Sequence, residues 1–263
     1  MLPDFKIISH IFEDRPDIEI WPVFDLHCGA AEHEEERWDS FRRMILAKDN
    51  AYILLGGDLI NNATKSGVSD IFLEKYPPST QVKIVTEMLR PFAEKQRIIC
   101  SLGGNHERRS EKDANYSPGY DIMCKLDCEH LYRESMAFIR IKMGVDGGAG
   151  QRNPCYIIAA AHGAAGGAKV GGVANRAVDF ASNLDGADIV VVGHSHKPFV
   201  TPPAKIVIDP QHGMASIRPY YVINATAWMG YGGYAAQKML PPASIAPQVI
   251  RLYGKKKKIE VTM

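Results

Sequence analysis

No apolar run in the sequence approaches the roughly 20 residues that a membrane-spanning helix needs, which excludes a helical membrane protein. Charge of one sign is also missing. The net charge is +1, so the molecule as a whole is not a polyelectrolyte binder of nucleic acid or membrane surfaces. Cysteine is sparse, and the five thiols, Cys28, Cys100, Cys124, Cys128 and Cys155, form no CxxC pair. One is left over under any pairing, which argues against a disulfide scaffold and for a reducing compartment. The opening residues Met1 to Lys6 contain an acid and no apolar core, so a signal peptide is not expected and a cytoplasmic location is. Internal repeats, low-complexity linkers and domain boundaries are absent too, so residues 1–263 are expected to form one domain.

What is present is a series of short, largely apolar runs, each closed by glycine or by a polar side chain. Such runs read as buried strands that stop at a turn. Val23-Phe24-Asp25-Leu26-His27 ends the first, after two strands at 5–11 and 18–24. Ala51 to Leu55 runs into Gly56-Gly57-Asp58, and Arg97 to Leu102 into Gly103-Gly104-Asn105-His106-Glu107. Tyr156 to Ala161 meets His162-Gly163, and Asp188 to Val192 meets Gly193-His194-Ser195-His196. Between them, Trp38, Phe41, Ile45 and Leu46, and then Val82, Val85, Leu89 and Phe92, recur at helical spacing and predict packing helices over 32–48 and 78–95. Shorter helices are expected over 119–130 and 173–183, with glycine-rich loops at 146–150 and 166–172. Beyond residue 200 the chain reads as strands at 205–209, 218–225, 247–253 and 259–263.

In α/β proteins ligands bind beyond the carboxyl ends of the strands, so these endings can meet in one crevice. Their donors are imidazole nitrogens and oxygens without thiolate, a set suited to first-row divalent ions. Asp58, midway in the series, has two oxygens with which to bridge a pair of ions. Such a pair activates water and clamps an in-line displacement at phosphorus.

The blocks Asp25-x-His27, Gly57-Asp58-x-x-Asn61, Gly104-Asn105-His106-Glu107, His162-Gly163 and Gly193-His194-x-His196, in this order, resemble the calcineurin-like metallophosphoesterase superfamily. The resemblance implies a four-layer α/β/β/α sandwich of two mixed sheets, with residues 200–263 as a β-rich part completing the second sheet. It assigns Asp25, His27 and His196 to a first metal, Asn105, His162 and His194 to a second, and Asp58 to both. His106 then serves the leaving oxygen, with Glu107 as its partner, while a metal-bridging hydroxide attacks. Asn61, Arg108 and Arg109 become candidates for supporting the metal loop or touching phosphate. The implied cofactors are two divalent ions, manganese first, then iron, zinc, nickel or cobalt.

Asn61-Asn62-Ala63 stands where protein serine/threonine phosphatases carry an acid-arginine-glycine run. That departure favours a phosphodiester of a nucleotide or nucleic acid as substrate, as in small exonuclease-like members. A phosphomonoesterase of a small molecule or protein is the alternative, and a non-catalytic metal-binding scaffold the remote one. Trp228, Tyr231 and Tyr234 are available to stack bases, and Lys255 to Lys258 to meet a phosphate backbone. The oligomeric state is left open.

Overall fold

A computed structural model describes residues 5–65, 67, 71–144, 153–164 and 169–263. The loop expected at 146–150 and Gly166-Gly167 lie outside the described residues. Two six-stranded mixed sheets carry the fold. The first has the order β1 (Ile8–Glu13), β6 (Met136–Gly144), β7 (Cys155–Ala161), β8 (Ile189–Val192), β12 (Tyr221–Asn224), β9 (Phe199–Thr201). The second runs β14 (Ile259–Thr262), β13 (Val249–Tyr253), β2 (Asp17–Val23), β3 (Ala51–Leu55), β4 (Ile98–Leu102), β5 (Tyr132–Arg133).

The unbroken apolar runs are explained by burial on both faces. In β8, Ile189 and Val191 enter the core shared by the two sheets, while Val190 and Val192 enter a smaller core under a helix. That helix, α5 (Val170–Ser182), packs Ala177 and Ala181 there. On the far side, α1 (Glu35–Leu46) and α2 (Pro78–Glu94) bury Trp38, Phe41 and Ile45, and Val82, Val85, Leu89 and Phe92, as their periodicity predicts. With α3 (Glu107–Ala114) and α4 (Pro118–Lys125) beside them, the layers are helix, sheet, sheet, helix. No helix among the described residues is long and apolar enough to cross a membrane.

Two sequence expectations are corrected. The carboxyl-terminal strands do not complete one sheet: β9 and β12 extend the first, and β13 and β14 the second. Between them β10 (Ala204–Asp209) and β11 (Met214–Pro219) pair as a separate hairpin. Lys205 and Arg218 on one face of the hairpin bond the Leu184 and Gly186 carbonyls, leaving Ile206, Ile208 and Ile217 exposed. Finally, Gly171 and Gly172 fall in the first turn of α5 rather than in a loop, because burial of Val173, Ala177 and Ala181 outweighs the helix cost of glycine.

Candidate metal centre

β2, β3 and β4 are parallel neighbours in one sheet, and β7 and β8 in the other, so their carboxyl ends open on one side. Each end must leave the sheet at once, and glycine permits the close packing that follows. Gly57 has a φ of +89°, and a Cβ there would lie 2.7 Å from the Gly104 backbone. The exit loops of β3 and β4 therefore touch main chain to main chain. Left-handed backbone also occurs where glycine is absent: Asp25, His27, Asp58, Asn62, His194 and His196 have φ between 46° and 67°. Non-glycine residues hold that conformation at a cost of about 1–3 kcal/mol each, and such strain gathers at functional sites.

The side chains so placed converge on Asp58. Its Oδ2 lies 3.3 Å from His162 Nε2 and 3.8 Å from the Nε2 atoms of His27 and His106. Its Oδ1 accepts the His106 backbone N–H at 2.8 Å. Asp25 Oδ1 lies 3.6 Å from His196 Nε2, and Asp25 Oδ2 accepts the His194 N–H at 2.8 Å. His27 and His196 bring their Nε2 atoms within 3.2 Å of each other, and Asn105 Oδ1 reaches His162 Nε2 at 2.9 Å. Among the described residues, the donor atoms of Asp25, Asp58, His162 and His194, of Asp25, His27 and His196, and of His27, Asp58 and His106 gather within 4.8 Å in each set.

A divalent cation fits these donors. Among the described residues, Asp25 Oδ1 and His27 Nδ1 are buried without a hydrogen-bond partner, and a buried carboxylate oxygen left so is costly unless a cation completes it. The His162 ring is turned for the same task, since Nδ1–H donates to the Gly56 carbonyl at 2.8 Å and leaves Nε2 toward Asp58.

The electrostatics follow from packing acids among imidazoles. Burial alone raises the Asp58 carboxyl, but His162, His106 and His27 outweigh it and hold it below its ordinary range. Burial lowers the basicity of His162, yet the Asp58 charge prevails and lifts it to about 10. His27 is driven well down by burial and the neighbouring His106. Burial also lowers His106, with Asp58 pulling upward and Arg109 adding to the fall.

His106 has a defined tautomer. Its Nδ1 faces the Asn61 carbonyl at 2.5 Å, which can only accept, and its Nε2 faces Arg109 Nη2 at 2.9 Å, which can only donate. The ring is neutral with its proton on Nδ1. Glu107 is not its partner. The Glu107 carboxylate accepts the backbone N–H groups of Asp58, Leu59, Ile60 and Gly104 at 2.7–3.3 Å, clamping the β3 and β4 exits together. Burial and the Asp58 charge push this carboxyl up to about 7.

Arg109 lies at the cluster, but Arg108 turns away to the Glu134 carbonyl at 2.9 Å. Asn61 contributes its carbonyl, while its side-chain amide bonds Glu74. Sequence reading missed Asn62, whose Nδ2 holds the His106 carbonyl at 2.6 Å, and Gln81, which accepts the Asn62 N–H at 2.9 Å. It also missed Asn224, which reaches the His194–His196 turn. The repeated Asn61-Asn62 pair was the visible signal for Asn62; nothing local marked the other two. His10, His33, His130 and His212 belong to none of the sets.

A family model described as calcineurin-like phosphoesterase matches residues 25–198. The chain belongs to the calcineurin-like phosphoesterase family. It is accordingly a hydrolase of phosphate esters that depends on divalent metal. No curated protein is matched. Among solved structures, the chain is similar to a metallophosphoesterase from Sphaerobacter thermophilus, with 15% identity, 93% of this chain and 87% of that one covered, and a TM-score of 0.35. A conserved uncharacterized protein from Streptococcus pneumoniae TIGR4 shares 10% identity over 94% of this chain and 90% of that one, with a TM-score of 0.38. Vps29 from Entamoeba histolytica, solved with Zn²⁺, shares 10% identity over 93% of this chain and 97% of that one, also at 0.38.

Two features set aside for substrate have other uses in this family member. Trp228 is buried, edge-on to Trp38 at 5.2 Å, and cannot stack on a base. Lys257 pairs with buried Asp188 at 2.8 Å, and Lys258 pairs with Glu260 at 2.5 Å. Tyr231 is exposed, while the side chain of Tyr234 lies outside the described residues.

Proposed function

We propose that this chain hydrolyses a phosphodiester of a nucleotide or nucleic acid at a pair of divalent cations. Asp25, His27 and His196 hold one, Asn105, His162 and His194 the other, and Asp58 both. The observation that carries this reading is the unpartnered Asp25 Oδ1, buried beside nitrogens delivered by separate strand ends. The mixed nitrogen and oxygen donors favour manganese, iron or zinc over softer ions. When bound, such a pair supplies Lewis acidity that activates water and neutralises phosphoryl charge. The five free thiols accord with a cytoplasmic enzyme, and the shared core of the two sheets with one domain over 1–263.

The chain's own groups do the rest. Asn61 holds the His106 ring by Nδ1, so Nε2 is the atom that gives a proton to the leaving oxygen. Arg109 Nη2 faces that atom at 2.9 Å. A non-bridging phosphate oxygen offers the guanidinium a charged acceptor, and its transfer there frees Nε2 for protonation. Asp58 fixes the His106 backbone through Oδ1, tying the proton donor to the carboxylate that would serve both cations.

Arg109 also favours a second reading, a phosphomonoesterase, because a guanidinium at this mouth suits a dianionic phosphate. Hydrolysis of a bis-aryl and a mono-aryl phosphate with added Mn²⁺, then of single- and double-stranded DNA, separates the two. The diester should be cut faster, and His106→Ala should lower turnover by about 10²–10⁴-fold. A marked monoester preference overturns the substrate assignment, and no metal-dependent turnover of either overturns the enzyme.

A further inference from the structure

We infer that Asn224, which touches no reacting atom, is a positioning residue that fixes the His194–Ser195–His196 turn and thereby sets metal affinity. The inference rests on the reading that His194 and His196 hold divalent cations.

Asn224 is the last residue of β12, paired in register with Val192 at the end of β8, and is fully buried. Its Nδ2 donates to Lys197 O at 2.7 Å and to Ser195 Oγ at 2.8 Å. A backbone carbonyl can only accept, so the atom facing Lys197 is the amide nitrogen and the orientation of the side chain is settled. One amide thus grips the residue between the two histidines and the residue after them. The Asn224 backbone carbonyl is held in turn: Gln248 Nε2 donates to Asn224 O at 3.1 Å, and Gln248 Oε1 accepts the Thr226 N–H at 3.0 Å. Gln248 and Thr226 are buried as well. A buried polar chain therefore runs from the approach to β13, in one sheet, to the histidine turn of the other.

This anchor has something to resist. His194 and His196 have φ of 67° and 53°, a conformation that neither residue favours. Such a turn persists only where its surroundings over-determine it. Asp25 holds the turn at the His194 N–H, and Asn224 holds it beyond. Without the Asn224 amide, Ser195 and Lys197 lose their fixed reference and the two imidazoles no longer point reliably at the carboxylates. The expected loss is in metal affinity, where removal of such a support typically costs 10–100-fold.

The test is calorimetric titration of Mn²⁺ into the chelator-stripped full chain, with kcat measured at saturating Mn²⁺. Asn224→Ala should bind Mn²⁺ 10–100-fold more weakly, while excess Mn²⁺ restores most of kcat. Val222→Ala truncates a buried side chain on the same strand, which reports general loss of packing. It should lower the melting temperature and leave Mn²⁺ affinity unchanged. Should Asn224→Ala fail to fold, Ser195→Ala removes one of the two acceptors at a half-buried position and should weaken binding in the same direction. Wild-type affinity in Asn224→Ala, or in Ser195→Ala if that is the variant that folds, overturns the inference while His196→Ala still loses binding. If His196→Ala also binds Mn²⁺ normally, the ligand reading fails and the inference with it.

Discussion

At the scale of single residues, adjacency in sequence proved a poor guide to partnership. His106 and Glu107 stand side by side at the start of α3, and side chains one apart on a helix diverge instead of facing each other. His106 turns to Asn61 and the cluster, and Glu107 turns inward to four backbone N–H groups. A carboxylate suits that cradle because it only accepts. Each carboxylate oxygen accepts two of the four N–H groups, so Glu107→Gln would point an amide NH₂ at two of them and leave that pair unsatisfied. Unfolding in urea at pH 8.5, above the value of about 7 to which burial and Asp58 push this carboxyl, should show a loss on the order of 3 kcal/mol, since hydrogen bonds to a charged group contribute about 1.5–3 kcal/mol. A wild-type urea midpoint for Glu107→Gln would mean that the clamp contributes nothing.

Between elements, Glu19 shows how the carboxyl-terminal strands are joined to the rest. It sits on β2 opposite Arg251 of β13, bonds Arg251 Nη2 at 2.5 Å and Lys48 Nζ at 2.7 Å, and is buried. Burial raises the Glu19 carboxyl, but the two cations outweigh it and the net shift is downward from 4.5. A carboxyl lowered by folding contributes its full stability above 4.5 and loses it as the pH falls through the lower folded value. Glu19→Gln should therefore destabilise the chain by about 1–3 kcal/mol at pH 7. The gap between variant and wild type should close on acidification below pH 4.5, as thermal melts across pH 3–7 would reveal. A gap independent of pH would assign the effect to shape rather than charge.

None of this pairing was legible in the sequence, because Glu19 and Arg251 are far apart and strand partners are chosen by packing. The doubly buried strands β3, β4 and β8 were legible, since burial on both faces forces a largely apolar run, and β7, half-buried on one face, carries a run of the same kind. Two- and three-residue strands such as β5 and β9 are too short to show a period. The candidate ligands were legible for a related reason, each standing where an apolar run stops. Asn224 ends an apolar strand too, yet its importance comes from Ser195 and Lys197, which only the fold brings near.

For the molecule as a whole, the candidate centre is divided between the sheets. Asp25, His27, Asp58, Asn105 and His106 leave the second sheet, whereas His162, His194 and His196 leave the first. A cation drawing on both sets is bound by the folded chain and not by either half, so its binding free energy adds to global stability. At one hundred times its dissociation constant, each ion contributes about 2.7 kcal/mol. For a chain of this size that corresponds to a rise of roughly 5–10 °C in melting temperature per site. Mn²⁺ added to chelator-treated protein should produce that rise, and Asp58→Asn, which weakens the carboxylate proposed to serve both sites, should suppress most of it. A cation held by the second sheet alone would predict otherwise: His162→Ala and His196→Ala, both at strand ends of the first sheet, would leave the Mn²⁺-dependent shift intact. Loss of the shift both in Asp58→Asn, from the second sheet, and in His162→Ala and His196→Ala, from the first, is the outcome that a centre spanning the two requires.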